Sequence, residues 1–234
     1  MSFIRFSLGL AVLSTLTFSA PSSTQAAWWD DESFSDRRAE LASYIDRAEK
    51  SRSRGDRYSS SITREIRKLD DDVVKEISIP ILIGVSMRNI SPNFGDSRGG
   101  GTRTHEGLDI MAARGAFVAS PTEAVVTRTG EGDSAGIYVY TANPGGETFA
   151  YMHLDSIAEG VKPGTVLEAG DIIGYVGNTG NASGGAPHLH FEIRGKDGLV
   201  DPYTRIKKEF TLEERIESLK ELLATLQKEL SKKD

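Results

Sequence analysis

In Gly185-Ala186-Pro187-His188-Leu189-His190-Phe191-Glu192-Ile193-Arg194 the stretch from Leu189 to Arg194 reads as a β-strand, with His188 at its entry. Residues two apart in a strand share a face, so His188 and His190 point together into one groove while Leu189 enters the core. Two imidazoles thereby converge without a helix. The chain before it is of the same kind: short apolar runs at Phe117 to Ser120, Ala124 to Thr129, Ile137 to Ala142, Glu147 to His153 and Asp171 to Val176 predict strands. Most of the glycines lie between Gly84 and Gly198, and Asn143-Pro144-Gly145-Gly146 predicts the turn of an antiparallel hairpin. Closely spaced strands with glycine-rich turns indicate a mainly β fold, an antiparallel sheet or sandwich rather than a βαβ layout.

Towards both ends the pattern changes. From Trp28 to about Ile79 the chain is charged and poor in glycine, and Ile62, Ile66, Leu69, Val73 and Ile77 recur at threes and fours, which writes one apolar helix face. Leu41, Tyr44, Ile45 and Ala48 predict an earlier helix, with a break at Ser51 to Gly55 and a cap for the second helix at Ser60 or Ser61. After Pro202, Thr211 and Glu214 form a capping box, and Leu212, Ile216, Leu219, Leu223, Leu226 and Leu230 follow heptad spacing. Each flanking face either packs on the β domain or docks a protein partner or a second copy.

The amino terminus reads as an export signal: Arg5, a mostly apolar run from Phe6 to Ala20, then the small residues of Thr24-Gln25-Ala26-Ala27. The run is shorter than the roughly 20 residues a spanning helix needs, so cleavage near Ala26 or Ala27 leaves no stable membrane anchor. The expected organisation is a signal at 1–27, a helical segment at 28–79, the β domain at 80–204 and an amphipathic heptad helix at 205–234.

Composition narrows the function. With 234 residues and 38% apolar content the chain can bury one real core. A net charge of −6 argues against a nucleic-acid binder, which needs clustered Lys and Arg to displace counterions. The absence of cysteine excludes disulfides, Cys-ligated zinc, a Cys nucleophile and a lipid-modified cysteine. Any bound zinc must therefore use nitrogen and oxygen donors.

All four histidines fit that requirement: His105 with Asp109 four residues on, His153 after Tyr151-Met152, and the pair His188 and His190. Gly107 argues against a helical turn between His105 and Asp109 and for a loop entering a strand at Leu108-Asp109-Ile110, with Gly107 and Asp109 on one side. Imidazole nitrogens and a carboxylate suit Zn²⁺, and three protein ligands leave its fourth position open to water. An H-x-H pair or a lone histidine alone says little; their combination with H-x-x-x-D on a β-rich exported chain carries the reading.

Four runs extend it: Asn93-Phe94-Gly95, Arg103-Thr104-His105-Glu106-Gly107-Leu108-Asp109-Ile110, Tyr151-Met152-His153-Leu154 and Gly185-Ala186-Pro187-His188-Leu189-His190-Phe191-Glu192. With Val161-Lys162-Pro163-Gly164 and the run from Gly170 to Gly180, they resemble the LytM/lysostaphin-type zinc metallopeptidases, from about Ile90 to Arg194. The resemblance implies a twisted antiparallel β-sheet with a groove over one Zn²⁺ per chain. It also implies His105, Asp109 and His190 as metal ligands, and His153 and His188 as catalytic residues flanking the water and the scissile carbonyl.

The implied activity is hydrolysis of a stem-peptide or cross-link bond of bacterial peptidoglycan through a zinc-activated water, in the periplasm or as a secreted, wall-associated protein. Glu106 does not fit the helical H-E-x-x-H placement of a general base and reads as a surface or supporting residue. Gly99-Gly100-Gly101 reads as a turn beside the groove. Two rivals remain: a regulator of another cell-wall hydrolase with little activity of its own, and a module in which a fourth ligand closes a structural zinc site.

Overall fold

The computed structural model describes residues 58–232. The expected signal at 1–27, the earlier helix at Leu41 to Ala48 and the break after it lie outside the described residues. The elements are α1 (Ser60–Ile66), β1 (Ile77–Ser78), β2 (Ser97–Arg98), β3 (Arg103–Thr104), β4 (Leu108–Met111), β5 (Phe117–Ala119), β6 (Ala124–Gly132), β7 (Gly136–Asn143) and β8 (Glu147–Ile157). There follow β9 (Val166–Leu167), β10 (Ile172–Val176), β11 (His188–Gly195), β12 (Gly198–Val200), α2 (Pro202–Arg205), β13 (Ile206–Lys208) and α3 (Leu212–Leu230). The fold is mainly β and antiparallel, as the alternation indicated.

The main sheet runs β12-β11-β8-β7-β6-β9, with β4 also on β11 and β10 joining β8 to β5. The expected turn at Asn143-Pro144-Gly145-Gly146 closes β7 onto β8, Asn143 opposite Glu147. Leu108, Ile110, Leu189, Phe191, Ile193, Phe149 and Tyr151 form the heart of the core, all essentially inaccessible. Phe191 lies edge-on to Phe149 with ring centroids 5.4 Å apart. With the apolar members of β4 and β11 turned inward, Asp109, His188 and His190 are left on the opposite face of the sheet.

The helix expected from Ile62 to Ile77 is cut short. α1 ends at Ile66 after starting from Ser59, one residue earlier than expected, whose hydroxyl accepts the Ile62 N–H. Beyond it Asp70-Asp71-Asp72 folds on itself, the Asp72 N–H donating to Asp70 Oδ1 at 2.9 Å, a local bond that competes with helix. Ile77, matched to the helix by spacing, instead pairs in parallel with Ile206, both fully buried. Arg205 secures this join: its guanidinium bonds both Glu147 carboxylate oxygens, at 2.9 and 3.1 Å, and the carbonyls of Val74 and Lys75.

The capping box forms, Thr211 N–H to Glu214 Oε2 at 2.6 Å and Glu214 N–H to Thr211 Oγ1 at 3.2 Å. α3 docks through Leu219 on the small cluster of Leu82, Ala119 and Phe210. Leu212, Ile216, Leu223, Leu226 and Leu230 remain exposed. No helix among the described residues is long and apolar enough to cross a membrane.

Candidate metal centre

Register brings the predicted residues together. β4 pairs with β11 so that Asp109 stands directly opposite His190, and on the other side of β11 His190 faces Met152 of β8. His105 precedes β4 in a loop pinned to the 93–96 turn: its N–H donates to Asp96 O at 2.8 Å and its carbonyl accepts from Gly95 at 2.9 Å. Gly107 is required between them. A Cβ there would lie 2.6 Å from the Phe191 carbonyl and 2.8 Å from His190 Nε2.

Three donor atoms meet in a near-equilateral triangle: His105 Nε2 to Asp109 Oδ1 is 2.9 Å, His105 Nε2 to His190 Nδ1 is 3.0 Å, and His190 Nδ1 to Asp109 Oδ1 is 2.9 Å. Their outer partners set the tautomers. His105 Nδ1 donates to the Asn93 carbonyl at 2.7 Å, and His190 Nε2 donates to Glu192 Oε1 at 3.2 Å. In the neutral rings both inner nitrogens are then lone pairs facing a carboxylate oxygen, an arrangement that repels itself unless a cation lies between. Donors of a tetrahedral Zn²⁺ stand roughly 3.4 Å apart, so a slight opening of the triangle accommodates the ion. The donor set fits.

Charge supports the same conclusion. Burial works against charge on Asp109, yet the imidazoles of His105 and His190 hold its carboxyl well below the usual carboxylate range. Burial also disfavours charge on His190, but Asp109 and Glu192 outweigh it and push the ring up to about 9. Both shifts mark a position that attracts positive charge, whether a proton or a metal ion. Asp109 is further oriented by Arg98, whose Nη2 donates to Oδ2 at 2.8 Å and leaves Oδ1 for the triangle, and by Asn93 Oδ1, which accepts the Asp109 N–H at 3.1 Å.

His153 reaches the same face by a distortion. In regular alternation it would share the core side with Phe149 and Tyr151. The β7–β8 pairing instead steps from Val139–Tyr151 to Ile137–Leu154, which places an extra residue in β8. His153, at φ 61, is the one non-glycine residue with positive φ among the described residues. Its N–H donates to Ala135 O and its Nδ1 to Thr179 O, both at 2.9 Å. Burial first, then the neighbouring His188 and His190, push this ring down to about 4, so it is neutral at physiological pH.

His188 Nδ1 donates to Ala186 O at 2.9 Å, and its Nε2 lies 3.8 Å from Asp109 Oδ1. The His153 and His188 rings are 5.1 Å apart. With Nδ1 engaged, each ring keeps Nε2 for other work.

All five residues line one cleft of about 550 Å³, with Arg98, Arg103, Tyr140, Met152, Glu192 and Arg194 around them. Glu106 is exposed and lies 3.6 Å from Arg194, in keeping with a surface role. Four supporting residues had no role assigned from the sequence. Glu192 was within reach of it, since alternation puts it on the face of His190; the contacts of Asn93, Arg98 and Thr179 cross between segments and leave no local pattern. The Gly99-Gly100-Gly101 stretch is the turn of the β2–β3 ribbon.

Residues 103–202 match the family model described as Peptidase family M23. The L-Ala--D-Glu endopeptidase of Bacillus subtilis (strain 168) is 33% identical over 139 residues, which cover 55% of this chain and 42% of that protein. Peptidoglycan DD-endopeptidase ShyC of Vibrio cholerae is 31% identical over 113 residues, 47% of this chain and 25% of its own. Among solved structures, the catalytic domain of lysostaphin from Staphylococcus simulans aligns at 28% identity and a TM-score of 0.43, over 50% of this chain and 91% of that domain. The chain spans less than half the length of these curated relatives. Residues 103–202 therefore match Peptidase family M23, in keeping with the resemblance carried by the histidine and aspartate runs.

Proposed function

We propose that the chain is an exported zinc metalloendopeptidase that hydrolyses a peptide bond of bacterial peptidoglycan. His105, Asp109 and His190 would hold one Zn²⁺, and His153 and His188 would be its catalytic residues. The observation that carries this reading is the triangle of three potential ligand atoms, with edges of 2.9 to 3.0 Å, opening on a cleft that His153 and His188 also line. Two relatives named for cutting peptide bonds, one of them a named peptidoglycan enzyme, support the substrate class.

A divalent ion in this position supplies Lewis-acid charge that acidifies a water and polarises an amide carbonyl. The chain's own residues do the rest. Water adds to the carbonyl carbon, and the proton it gives up reaches Nε2 of one histidine; the protonated ring then donates to the leaving amine as the C–N bond breaks. The N–H of a protonated His153 or His188 also stabilises the developing oxyanion. Burial keeps His153 neutral before the reaction, which leaves its Nε2 able to accept.

The remaining assignments belong to the same proposal. Residues 1–27 would direct export to the periplasm, 28–79 would form a helical segment, 80–204 the peptidase domain, and 205–234 the terminal helix. The exposed leucines of α3 are the surface offered to a protein partner or a second copy.

The test is incubation of signal-free protein with intact sacculi, with and without a chelator, followed by mass analysis of released fragments. New amine ends that disappear with the chelator are expected. Intact sacculi in the presence of zinc-loaded, folded protein would overturn the enzyme reading. His153→Ala refines it: zinc retained with hydrolysis lost is expected, whereas loss of zinc would place His153 among the ligands of a closed structural site.

A further inference from the structure

The short ribbon at the cleft's edge carries an electrostatic conflict. β2 and β3 pair so that Arg98 stands directly opposite Arg103. Like charges in that position destabilise an antiparallel pair, and this ribbon has only two residue pairs with which to offset the cost. Local rules broken in this way concentrate at functional positions.

Arg98 has its counterion, the Asp109 carboxylate at 2.8 Å. Arg103 lines the same cleft, is exposed, and among the described residues has no carboxylate within ion-pair distance. The other acids of the cleft are taken: Glu106 and Glu192 each lie 3.6 Å from Arg194. In a chain of net charge −6, the cleft wall therefore holds an unmatched guanidinium. Its planar fork suits a carboxylate, which it can grip through two parallel hydrogen bonds.

Building on the peptidase reading, we propose that Arg103 is a specificity-determining residue that binds a free carboxylate of the peptide beside the scissile bond. The cleft then prefers acidic peptides to their amidated counterparts. The substrate's carboxylate completes what the ribbon lacks, as Asp109 does for Arg98. The Gly99-Gly100-Gly101 turn, with φ of 58, 68 and 96, makes the tight reversal that sets the two arginines side by side.

The test uses two synthetic stem-type peptides, identical except that the residue adjoining the cleaved bond bears a carboxylate in one and a carboxamide in the other. Wild type, Arg103→Gln and Arg103→Lys are compared by kcat/KM. Binding is measured separately by anisotropy of labelled peptides on zinc-loaded protein carrying His153→Ala. Wild type should favour the carboxylate peptide about tenfold in both measurements, as one charge-assisted contact predicts. Arg103→Gln should bring the ratio close to one, and Arg103→Lys should retain part of it; zinc content and melting temperature report that each variant folds. Equal treatment of the peptides by wild type, or an undiminished ratio in Arg103→Gln, would overturn the inference. Failure of zinc-loaded wild type to cleave either peptide or sacculi would instead strike the peptidase reading, while the binding ratio would still decide the role of Arg103.

Discussion

Thr179→Val removes one hydroxyl and leaves the branched shape in place. That hydroxyl accepts the Ile137 N–H at 2.9 Å and donates to the Leu154 carbonyl at 2.8 Å, while the backbone carbonyl of the same residue takes the His153 Nδ1 proton at 2.9 Å. Thr179 thus ties the start of β7 to β8 at the point where His153 is forced to φ 61. Leaving the Ile137 N–H and the Leu154 carbonyl without their partner costs about 1–3 kcal/mol each at full burial, and both are only part-buried, so a loss of about 2–3 kcal/mol is expected. Holding a side chain in the left-handed region costs on the order of 1–3 kcal/mol. The loss is large enough to let Met152-His153 relax toward a regular strand, which would turn His153 away from the cleft. Urea unfolding should show the stability loss, elemental analysis should show zinc retained, and kcat on sacculi should fall about a hundredfold with KM little changed. Unchanged kcat alongside the full loss of stability would refute the idea that this hydroxyl positions His153.

Gly107→Ala places a methyl 2.8 Å from His190 Nε2 and 2.6 Å from a backbone carbonyl, so zinc affinity should drop by about tenfold or more, read by competition with a chromogenic chelator; unaltered affinity would contradict the close approach. Arg205→Met leaves the buried Glu147 carboxylate without its cation and should cost about 3–5 kcal/mol in urea unfolding while zinc affinity is preserved. An ion displaces the proton from His190 Nδ1, and that ring is held up to about 9. Apparent zinc affinity should therefore rise with pH until about 9 and level off above it; a plateau already at pH 7 would show that the proton does not compete there. Free zinc at a thousand times its Kd should stabilise the fold by about 4 kcal/mol, which a chelator removes as a lower Tm.

The sheet was legible because its strands bury one face. Leu189, Phe191 and Ile193 alternate strictly with His188, His190 and Glu192, and the observed strand keeps that alternation. Asp109 followed from the same logic, since Leu108 and Ile110 on either side are fully buried. His153 did not, because a regular strand would have carried it into the core with Tyr151, and the extra residue that re-aims it depends on pairing with β7. The α1 face misled for a related reason. Ile62, Ile66 and Ile77 satisfy helical spacing, yet Ile77 is buried by pairing with Ile206, which lies 129 positions later and shows in no local window. Arg98 and Thr179 act through contacts between segments distant in sequence, so composition and periodicity could not single them out.

Under the proposed function three residues hold the ion, and the placement of the strands favours that number over four. β4 and β11 are direct neighbours, and the loop before β4 delivers His105 to the same edge, so His105 and Asp109 both meet His190 from its β4 side. His153 belongs to β8, across β11, with its ring centroid 5.8 Å from that of His190. His188 lies further along β11, its Nε2 3.8 Å from Asp109 Oδ1 and so outside the triangle of 2.9 to 3.0 Å edges. A structural zinc site is usually closed by a fourth protein ligand. Closing this one would require a ring to swing inward, and for His153 that means giving up the Nδ1 bond to the Thr179 carbonyl. Strain held at a residue that is not needed as a ligand is better accounted for by a group that must face the substrate.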